Sequence, residues 1–366
     1  MASCETATAD RYFGNGYYTL INLSNGSNYS VHDMVLQDGC NDGLQVSHAS
    51  DVRFYNNYVN AMGHEGVFAL VSHGLEVYGN NFIIRASDGV RGDDCYDYSI
   101  HNNEFSSYNK KDSSAGIQID NKQGKAISNI QIFNNLFHDI WNGGIWLSVG
   151  SAAGSGTSWP VSIHHNIFVG NGYSTNSAVG PTGGIMSPAN IASIIYNNTF
   201  DGNYGNGIYD PNGKSKIISN IITGTVAGKY ASAGKGVGVS GGAEVSYNVF
   251  NKNVGGDYTK GGTGNYTGDP LYYKPGTDYH LQSMAGRWDP ALSQWVADAK
   301  NSPAIDAGIP LATDATYGVY TNEPKENGSR LNAGAYGNTP QASLTGTVKQ
   351  VPMPPAPTSG GAAAGA

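Results

Sequence analysis

The feature that most constrains this chain is an asparagine that recurs inside a short apolar pattern. Segments of the form apolar-x-x-Asn-x-apolar occur eight times between residues 54 and 250. Their recurring asparagines are Asn57, Asn80, Asn103, Asn135, Asn166, Asn198, Asn220 and Asn248. The first three are 23 residues apart, and most later intervals lengthen to about 30. A period in the low twenties with variable insertions is typical of a solenoid in which each repeat forms one coil.

A second pattern follows each asparagine: a small or acidic residue, a glycine, and then alternating apolar and polar residues. Examples are EGVFAL at 65, DGVRG at 88 and AGIQI at 115. Such alternation places successive side chains on opposite faces of a strand. An up-and-down barrel or a sandwich would alternate without a fixed Asn and Gly in every unit. The sequence therefore predicts an all-β fold, a parallel β-helix solenoid with stacked asparagines and a C-terminal capping region.

Composition agrees with short strands and excludes some partners. Charged residues make up only 13% of the 366 residues, whereas there are 51 glycines and 24 tyrosines. This favours strands joined by turns over helices. The net charge of −8 disfavours nucleic acid and anionic membranes as partners. No apolar run approaches the roughly 20 residues that span a bilayer, so we expect no membrane insertion.

Four regions are predicted along the chain. They are an N-terminal lead-in or cap (1–27), the coils with a substrate groove (28–250), the last coils with a C-terminal cap (251–345), and a Pro/Gly/Ala-rich linker (346–366). In the cap, Trp288, Trp295, Tyr279 and Tyr336 are expected to cover the last coil. The opening residues do not read as a signal peptide, so we expect the sequence to start inside a larger precursor and to continue into further domains after the linker.

The cysteines and the Asn-x-Ser/Thr sequons bear on where the protein is located. Three cysteines, Cys4, Cys40 and Cys95, cannot all pair, and Cys40 and Cys95 are interpreted as small packing residues. The chain also contains several Asn-x-Ser/Thr sequons, which are compatible with an exported protein. We therefore expect an extracellular or cell-surface location.

The candidate site lies between Asp88 and Lys122, where two Gly strands carry charge. If these strands stack in register, Arg91 and Asp93 face outward beside Gln118 and Asp120, and the two aspartates lie about 4.8 Å apart. Stacked carboxylates repel each other. Proteins tolerate such a pair mostly for a metal, for a buried partner such as Arg91, or for acid/base chemistry.

Other polar residues are predicted to share this groove. The predicted catalytic residues are Asp93, Asp94 and Asp120, and the predicted substrate-binding residues are Arg91, Gln118, Lys122, His48, His73, Gln45 and Trp146. Asp42, Glu65 and Asp88, which immediately precede glycines, are interpreted as turn residues, with a groove rim as the alternative. Six of the 20 basic residues lie between residues 85 and 125, which favours an anionic ligand.

Two reaction types fit these residues. In hydrolysis, one aspartate would protonate the glycosidic oxygen and another would activate water or attack the anomeric carbon, without a cofactor. In β-elimination at a uronic acid, Arg91 or Lys122 would remove a proton while Ca²⁺ held by Asp93, Asp94 and Asp120 neutralised the acid group. The surplus of carboxylates over an obvious Lys or Tyr base favours hydrolysis.

The repeat resembles the right-handed parallel β-helix proteins, many of which act on polysaccharides. That resemblance implies a right-handed coil, with the asparagine at the turn between the second and third sheets and the Gly strand in the first sheet. The adjacent aspartates after Arg91-Gly92 are similar to those of polygalacturonases, but the other motifs of that family are absent in the expected order. Polygalacturonases are therefore a chemical analogy only.

A closer resemblance is to the disaggregatases of methanosarcinal archaea. It is carried by the Asn-rich coils, the SPAIDAG segment at 302–308 and the Pro-rich exit, and it covers residues 1 to about 345. It implies an exported enzyme that degrades methanochondroitin, an acidic polysaccharide of glucuronate and N-acetylgalactosamine, and it assigns no catalytic residue. The competing interpretation is a non-catalytic polysaccharide-binding surface protein, which would need aromatic rows but no clustered acids.

Overall fold

The computed structural model describes residues 19–108, 113–122, 127–148, 161–174, 182–188, 191–228, 234–239, 242–259, 262–310 and 322–345. Within these ranges, three long parallel sheets of nine, nine and ten strands run along one axis, and two short antiparallel sheets follow. Each coil contributes one strand to each long sheet, which confirms the predicted parallel β-helix. No helix in these ranges has the length and apolar character needed to cross a membrane.

Strands are numbered in chain order. Sheet A contains the Gly strands: β1 (Ile21–Ser24), β4 (Leu44–Ser47), β7 (Val67–Leu70), β10 (Val90–Asp93), β13 (Ala115–Asp120), β16 (Gly143–Leu147), β19 (Gly183–Met186), β22 (Asn206–Asp210) and β25 (Val237–Val239). Sheet B contains the strands that precede the asparagines: β2 (Ser27–His32), β5 (Ser50–Tyr55), β8 (His73–Tyr78), β11 (Tyr96–His101), β14 (Ser128–Phe133), β17 (Val161–His164), β20 (Ser193–Tyr196), β23 (Lys216–Ile218) and β26 (Glu244–Ser246).

Sheet C contains the strands that follow the asparagines: β3 (Val35–Gln37), β6 (Tyr58–Asn60), β9 (Asn81–Ile84), β12 (Glu104–Ser107), β15 (Leu136–His138), β18 (Ile167–Val169), β21 (Thr199–Asp201), β24 (Ile221–Thr223), β27 (Val249–Asn251) and β28 (Tyr266–Thr267). Two antiparallel pairs complete the described strands: β29 (Tyr272–Lys274) with β30 (Asp278–Leu281), and β31 (Arg287–Asp289) with β32 (Gln294–Val296).

The recurring asparagines form a continuous hydrogen-bonded ladder at the turn between sheets B and C. The side-chain oxygen of Asn80 accepts hydrogen bonds from the backbone N–H and the amide of Asn57, at 2.8 and 3.0 Å. The Asn80 amide in turn donates to the carbonyl of Phe54 at 3.0 Å. The same pattern repeats to Asn248. Because each buried amide satisfies backbone groups of its neighbouring coil, the asparagine is needed once per turn.

Phenylalanines from sheet C stack inside the coil. Their packing explains why a glycine is needed next to the strands of sheet A. Consecutive rings, such as Phe82, Phe105 and Phe137, lie with centroids 4.9 Å apart and nearly parallel. A Cβ atom on Gly89 would lie 2.7 Å from the Phe105 ring and 2.7 Å from the carbonyl oxygen of Gly116. A larger residue therefore cannot enter this position without moving the neighbouring coil.

Strand pairing begins inside the predicted lead-in and continues into the predicted last coils. β1 already pairs in parallel with β4 inside the segment predicted as a lead-in, and β28 pairs with β27 beyond residue 250. An edge strand that pairs with the next coil satisfies its backbone groups, so pairing continues wherever an extended segment reaches the sheet.

The C-terminal region packs along the side of the coils. Tyr279 donates to the Asp201 carboxylate on sheet C at 2.9 Å, and the Asn197 amide donates to the Asn332 carbonyl at 2.9 Å. Trp288 and Trp295 face each other across the β31–β32 hairpin at 5.3 Å. Tyr279 packs in one cluster with Val249 of β27 and Tyr266 of β28 and also reaches Asp201, so it covers the outer face of sheet C from the last coils back to β21.

The cysteines divide into two environments. Cys95 is a buried free thiol that packs in the core, as predicted. Cys40 is disulfide-bonded, and its partner lies outside the described residues. The interpretation of Cys40 as a packing residue is therefore wrong, because sequence alone does not show which chain segments meet.

Candidate functional site

Arg91 joins the two stacked strands at the centre of the candidate site. Strands β10 and β13 pair with Arg91 opposite Gln118 and with Asp93 opposite Asp120, the register predicted from sequence. Arg91 Nε donates to Asp93 Oδ1 at 2.9 Å, and Arg91 Nη2 donates to Asp120 Oδ2 at 3.2 Å. The arginine thus neutralises a carboxylate pair that would otherwise repel across neighbouring strands.

The two aspartates differ in how many of their carboxylate oxygens have a partner. Both oxygens of Asp93 are engaged, since Asp93 Oδ2 also lies 3.3 Å from Lys122 Nζ. Asp120 has one oxygen on Arg91, whereas Asp120 Oδ1 is enclosed and has no hydrogen-bond partner among the described residues. A buried carboxylate oxygen without a partner carries an unmet desolvation cost, so Asp120 Oδ1 would gain a hydrogen bond if the groups that enclose it moved aside for a ligand.

A row of outward side chains extends from Arg91 along sheet A. The strand register places Gln45 beside Phe68, Phe68 beside Arg91, and Gln118 beside Trp146. The Arg91 guanidinium carbon lies 6.0 Å from the centroid of the Phe68 ring. The predicted row therefore forms one surface, with polar groups in the early coils and Trp146 at its later end.

Asp94 lies at the corner that follows β10 and not in the row of Asp93. Its φ of 53° matches those of Val71 and His48 at the same corner of the two earlier coils. Its backbone N–H donates to the Asp120 carbonyl at 2.9 Å. The left-handed conformation interrupts the strand alternation, so adjacency in sequence does not place Asp94 beside Asp93 on the sheet face.

His48 and His73, both predicted to bind substrate in one groove, lie at different positions of their coils. His48 is exposed at the corner and contacts the Ser47 hydroxyl at 3.0 Å. His73 begins β8 in sheet B, pairs with Ser50, and stacks on Tyr96 at 4.7 Å. Among the described residues, neither ring contacts Arg91 or its carboxylates, because the corner turns the chain onto another face between these positions.

Acidic residues before three glycines form a buried ladder next to this site. Asp42 Oδ1 accepts from the backbone N–H of Glu65 at 3.1 Å, Glu65 Oε2 accepts from that of Asp88 at 2.6 Å, and Asp88 Oδ1 accepts from that of Ala115 at 2.8 Å. These bonds agree with the interpretation as turn residues. Glu65 additionally approaches Arg91, with Glu65 Oε1 lying 3.6 Å from Arg91 Nη1.

Burial and neighbouring charges shift the protonation of this ladder. Burial and the Asp88 charge raise the pKa of Glu65 to about 8. Burial also raises the pKa of Asp88. Burial lowers the pKa of His64, but the hydrogen bond to Asp42 and the Glu65 charge outweigh it, so the net shift is upward. With its pKa raised to about 8, Glu65 carries its proton at neutral pH beside the Arg91 guanidinium.

The sequence prediction missed the contact between Glu65 and Arg91. Its spacing of 23 residues from both Asp42 and Asp88 marks it as their equivalent. The spacing also places Glu65 on the coil next to Arg91, which lies three positions after Asp88. That relation was the available signal, although backbone positions alone do not tell how far the longer side chain reaches.

The aspartates do not have the arrangement of a calcium site. In the part of the chain that the structure describes, no group of three or more His, Cys, Asp or Glu side chains is placed to hold a metal ion. Asp93 directs both oxygens at cationic groups, and Asp94 lies off the sheet face. Three predicted residues of the surrounding basic cluster, Lys110, Lys111 and Lys125, lie outside the described residues.

Comparison with known proteins gives two family matches that together span residues 12–308. The family described as "Right handed beta helix region" matches residues 12–157, and the family described as "Disaggregatase related" matches residues 127–308. No curated protein matches the chain.

Two exopolygalacturonases are among the similar solved structures. The family 28 enzyme of Yersinia enterocolitica has 11% identity and a TM-score of 0.37, with 56% of this chain and 43% of that chain covered. The hyperthermoactive enzyme of Thermotoga maritima has 11% identity and a TM-score of 0.35, with 72% of this chain and 58% of that chain covered. This chain thus spans about half the length of either enzyme. The match of residues 12–157 to the right-handed β-helix family agrees with the three parallel sheets of the structure, and residues 127–308 are similar to the disaggregatase-related family.

Proposed function

We propose that this chain hydrolyses an acidic polysaccharide at the Arg91 cluster, which comprises Glu65, Arg91, Asp93, Asp120 and Lys122. The observation that carries the proposal is the unequal state of the two stacked aspartates. Asp93 is held by two cationic groups, while Asp120 keeps one oxygen without a partner. The disaggregatase-related match is consistent with an enzyme of this class.

Asp120 would act on the sugar and Arg91 would hold it in place. Once substrate moves aside the groups that enclose it, Asp120 Oδ1 would either activate a water molecule or attack the anomeric carbon. The bond from Arg91 Nη2 to Asp120 Oδ2 fixes its orientation. Both oxygens of Asp93 face cationic groups, so Asp94 is the remaining predicted aspartate that would protonate the leaving oxygen. Its separation from Asp120 in the substrate complex would decide between inversion and retention.

The state of the cationic groups favours hydrolysis over β-elimination. Burial lowers the pKa of Arg91, but the charges of Asp93 and Glu65 outweigh it, and the net shift is upward. A guanidinium that holds its proton this tightly is a poor base. Lys122 Nζ lies 3.3 Å from the Asp93 carboxylate, where its charged form is useful for binding an anion.

The substrate we propose alternates uronic acid and amino sugar. Lys122, which is 44% exposed, would contact the glucuronate carboxylate, while Gln118 would donate to hydroxyl or acetamido groups. Trp146 lies beside Gln118 on the next strand, where an indole would pack against a sugar ring. A methanochondroitin-like polymer of glucuronate and N-acetylgalactosamine meets these requirements, and its cleavage would disperse aggregated cells.

We propose that the enzyme acts outside the cell or at its surface. A polysaccharide that holds cells together is reached only there. The disulfide at Cys40 supports this location, because such bonds persist in oxidising compartments and are rare in the cytosol.

Product analysis tests the reaction type directly. The chain is incubated with a glycan of glucuronate and N-acetylgalactosamine, with and without a chelator, while reducing ends and the ultraviolet absorbance of unsaturated uronate are followed. Hydrolysis predicts new reducing ends without absorbance, unaffected by chelator. Absorbance that rises with the reducing ends would replace hydrolysis by elimination, and retention of the glycan without either signal would indicate a binding protein.

A further inference from the structure

Glu65 is wholly enclosed, yet it reaches the candidate site from the preceding coil. Glu65 Oε2 accepts from the Asp88 backbone N–H at 2.6 Å, and Glu65 Oε1 accepts from the Ser87 hydroxyl at 3.1 Å. The same Oε1 lies 3.6 Å from Arg91 Nη1 and 3.5 Å from His64 Nε2. One carboxyl group therefore serves both the coil backbone and a side chain of the site.

The ladder itself does not require a glutamate at this position. Asp42 and Asp88 occupy the equivalent positions one coil before and one coil after, and each binds the backbone of the next coil with the shorter aspartate side chain. The additional methylene of Glu65 accounts for its contact with Arg91. The side chain of Glu65 is thus one methylene longer than the ladder requires, and the extra length brings its carboxyl group toward Arg91.

We propose that Glu65 is a positioning residue that fixes the Arg91 guanidinium, and through it Asp120, for the proposed reaction. Arg91 contacts three carboxyl groups through three different nitrogens: Nη1 faces Glu65, Nε binds Asp93 and Nη2 binds Asp120. Removing the Glu65 contact frees one side of the planar group. The guanidinium then rotates between Asp93 and Asp120, and Asp120 loses its fixed orientation.

The charge of Glu65 makes this role visible in a pH titration. The titratable groups facing Glu65 are Asp42 from the preceding coil, His64 from the same turn, Asp88 from the next coil, and Arg91 from β10. Because its pKa is raised to about 8, Glu65 is neutral at lower pH and becomes an anion beside Arg91 above it. Ionisation strengthens the pull of Glu65 on Nη1 relative to that of Asp120 on Nη2.

The test follows the Arg91 side chain itself by ¹⁵N NMR, with its signal assigned through the Arg91→Lys variant. In the unaltered protein we expect the Arg91 signal to titrate with a midpoint near pH 8. Glu65→Gln should abolish that titration, and Glu65→Asp, which retains the ladder but is too short to reach Arg91, should weaken it strongly. Glu323→Gln is the matched control, since Glu323 is another buried carboxyl group, with a pKa raised to about 7, in the C-terminal region.

The same variants are then assayed on the acidic glycan. A misplaced Arg91 predicts a fall in kcat of roughly tenfold to hundredfold in Glu65→Gln and Glu65→Asp, with little change in KM. An unchanged Arg91 titration in Glu65→Gln would overturn the positioning role. Absence of product from the unaltered protein would instead overturn the proposed function on which the catalytic consequence rests, and the NMR titration would still decide whether Glu65 positions Arg91. If Glu65→Gln does not fold, Glu65→Asp decides alone.

Discussion

Two arginines in this molecule each face three carboxyl groups, but in different settings. The Arg91 cluster lies on the outer face of sheet A, with the Arg91 side chain 12% exposed and Asp120 Oδ1 without a partner. The Arg287 cluster, formed by Arg287 with Asp278, Asp289 and Asp298, lies in the C-terminal hairpins with the arginine only 1% exposed.

The contacts of Arg287 are those of a structural ion cluster. Its Nε lies 3.3 Å from Asp298, its Nη1 donates to the Trp288 carbonyl at 3.1 Å, and its guanidinium lies 3.4 Å from the centroid of the Tyr273 ring. These contacts tie several strands and a loop together and enclose the cation. The two clusters thus share their composition and differ in the exposure of the arginine and in the unpartnered oxygen of Asp120, and we propose that only the Arg91 cluster is functional.

Loss of the unused acceptor is the largest effect we expect. Asp120→Asn should lower kcat by roughly 10²–10⁴-fold, because an amide neither accepts the proton nor attacks carbon. Asp298→Asn, the matched change in the Arg287 cluster, should leave kcat per folded molecule unchanged. The measurement is reducing-end release under saturating glycan. Equal losses in the two variants would remove the functional distinction between the clusters.

Loss of the enclosed arginine should act on stability. Arg287→Met leaves three carboxylates without their cation, which typically costs about 3–5 kcal/mol. Urea unfolding followed by tryptophan fluorescence measures this cost, and Trp288 and Trp295 on the same hairpin make it visible. Turnover corrected for the folded fraction should not change. Arg91→Met, in contrast, should destabilise the coils and also abolish turnover.

The raised pKa of Glu65 predicts a pH-dependent stability difference. A carboxyl group whose pKa is raised from 4.5 to about 8 keeps its proton in the folded state while the unfolded chain loses it, so the folded state loses stability as pH rises between these values. The slope is about 1.4 kcal/mol per pH unit for one proton. Glu65→Gln should remove this slope in urea titrations at several pH values. A parallel pH dependence in both proteins would contradict the assignment.

The smallest effect is expected for Lys122. Its side chain is 44% exposed, so Lys122→Ala should change the unfolding free energy by less than about 1 kcal/mol. Binding of the acidic glycan should nevertheless weaken and lose part of its salt dependence, because one cation leaves the Arg91 cluster. Isothermal titration at two salt concentrations checks this, with Lys216→Ala on sheet B as the control. Equal affinities would exclude Lys122 from the substrate contact.

The repeat allowed much of the fold and part of the site to be predicted. The register is fixed by a side-chain period of two and by one asparagine per coil. The pairing of Arg91 with Gln118 and of Asp93 with Asp120 could therefore be predicted from the sequence alone. Prediction failed where the chain leaves the strands. The corner at His48 and Asp94 adopts positive φ, and a corner of this kind decides which face the next residue joins.

The sequence by itself thus determined the parallel coils, the asparagine ladder and the row of outward side chains, because these depend on local periodicity repeated at a fixed interval. The tertiary structure alone decided that the C-terminal region lies against sheet C, that Cys40 is disulfide-bonded, and that Glu65 reaches Arg91. Each of these depends on the distance between side chains or segments that are not neighbours in the repeat. That distance is set by how the coils and loops pack, which no periodic pattern encodes.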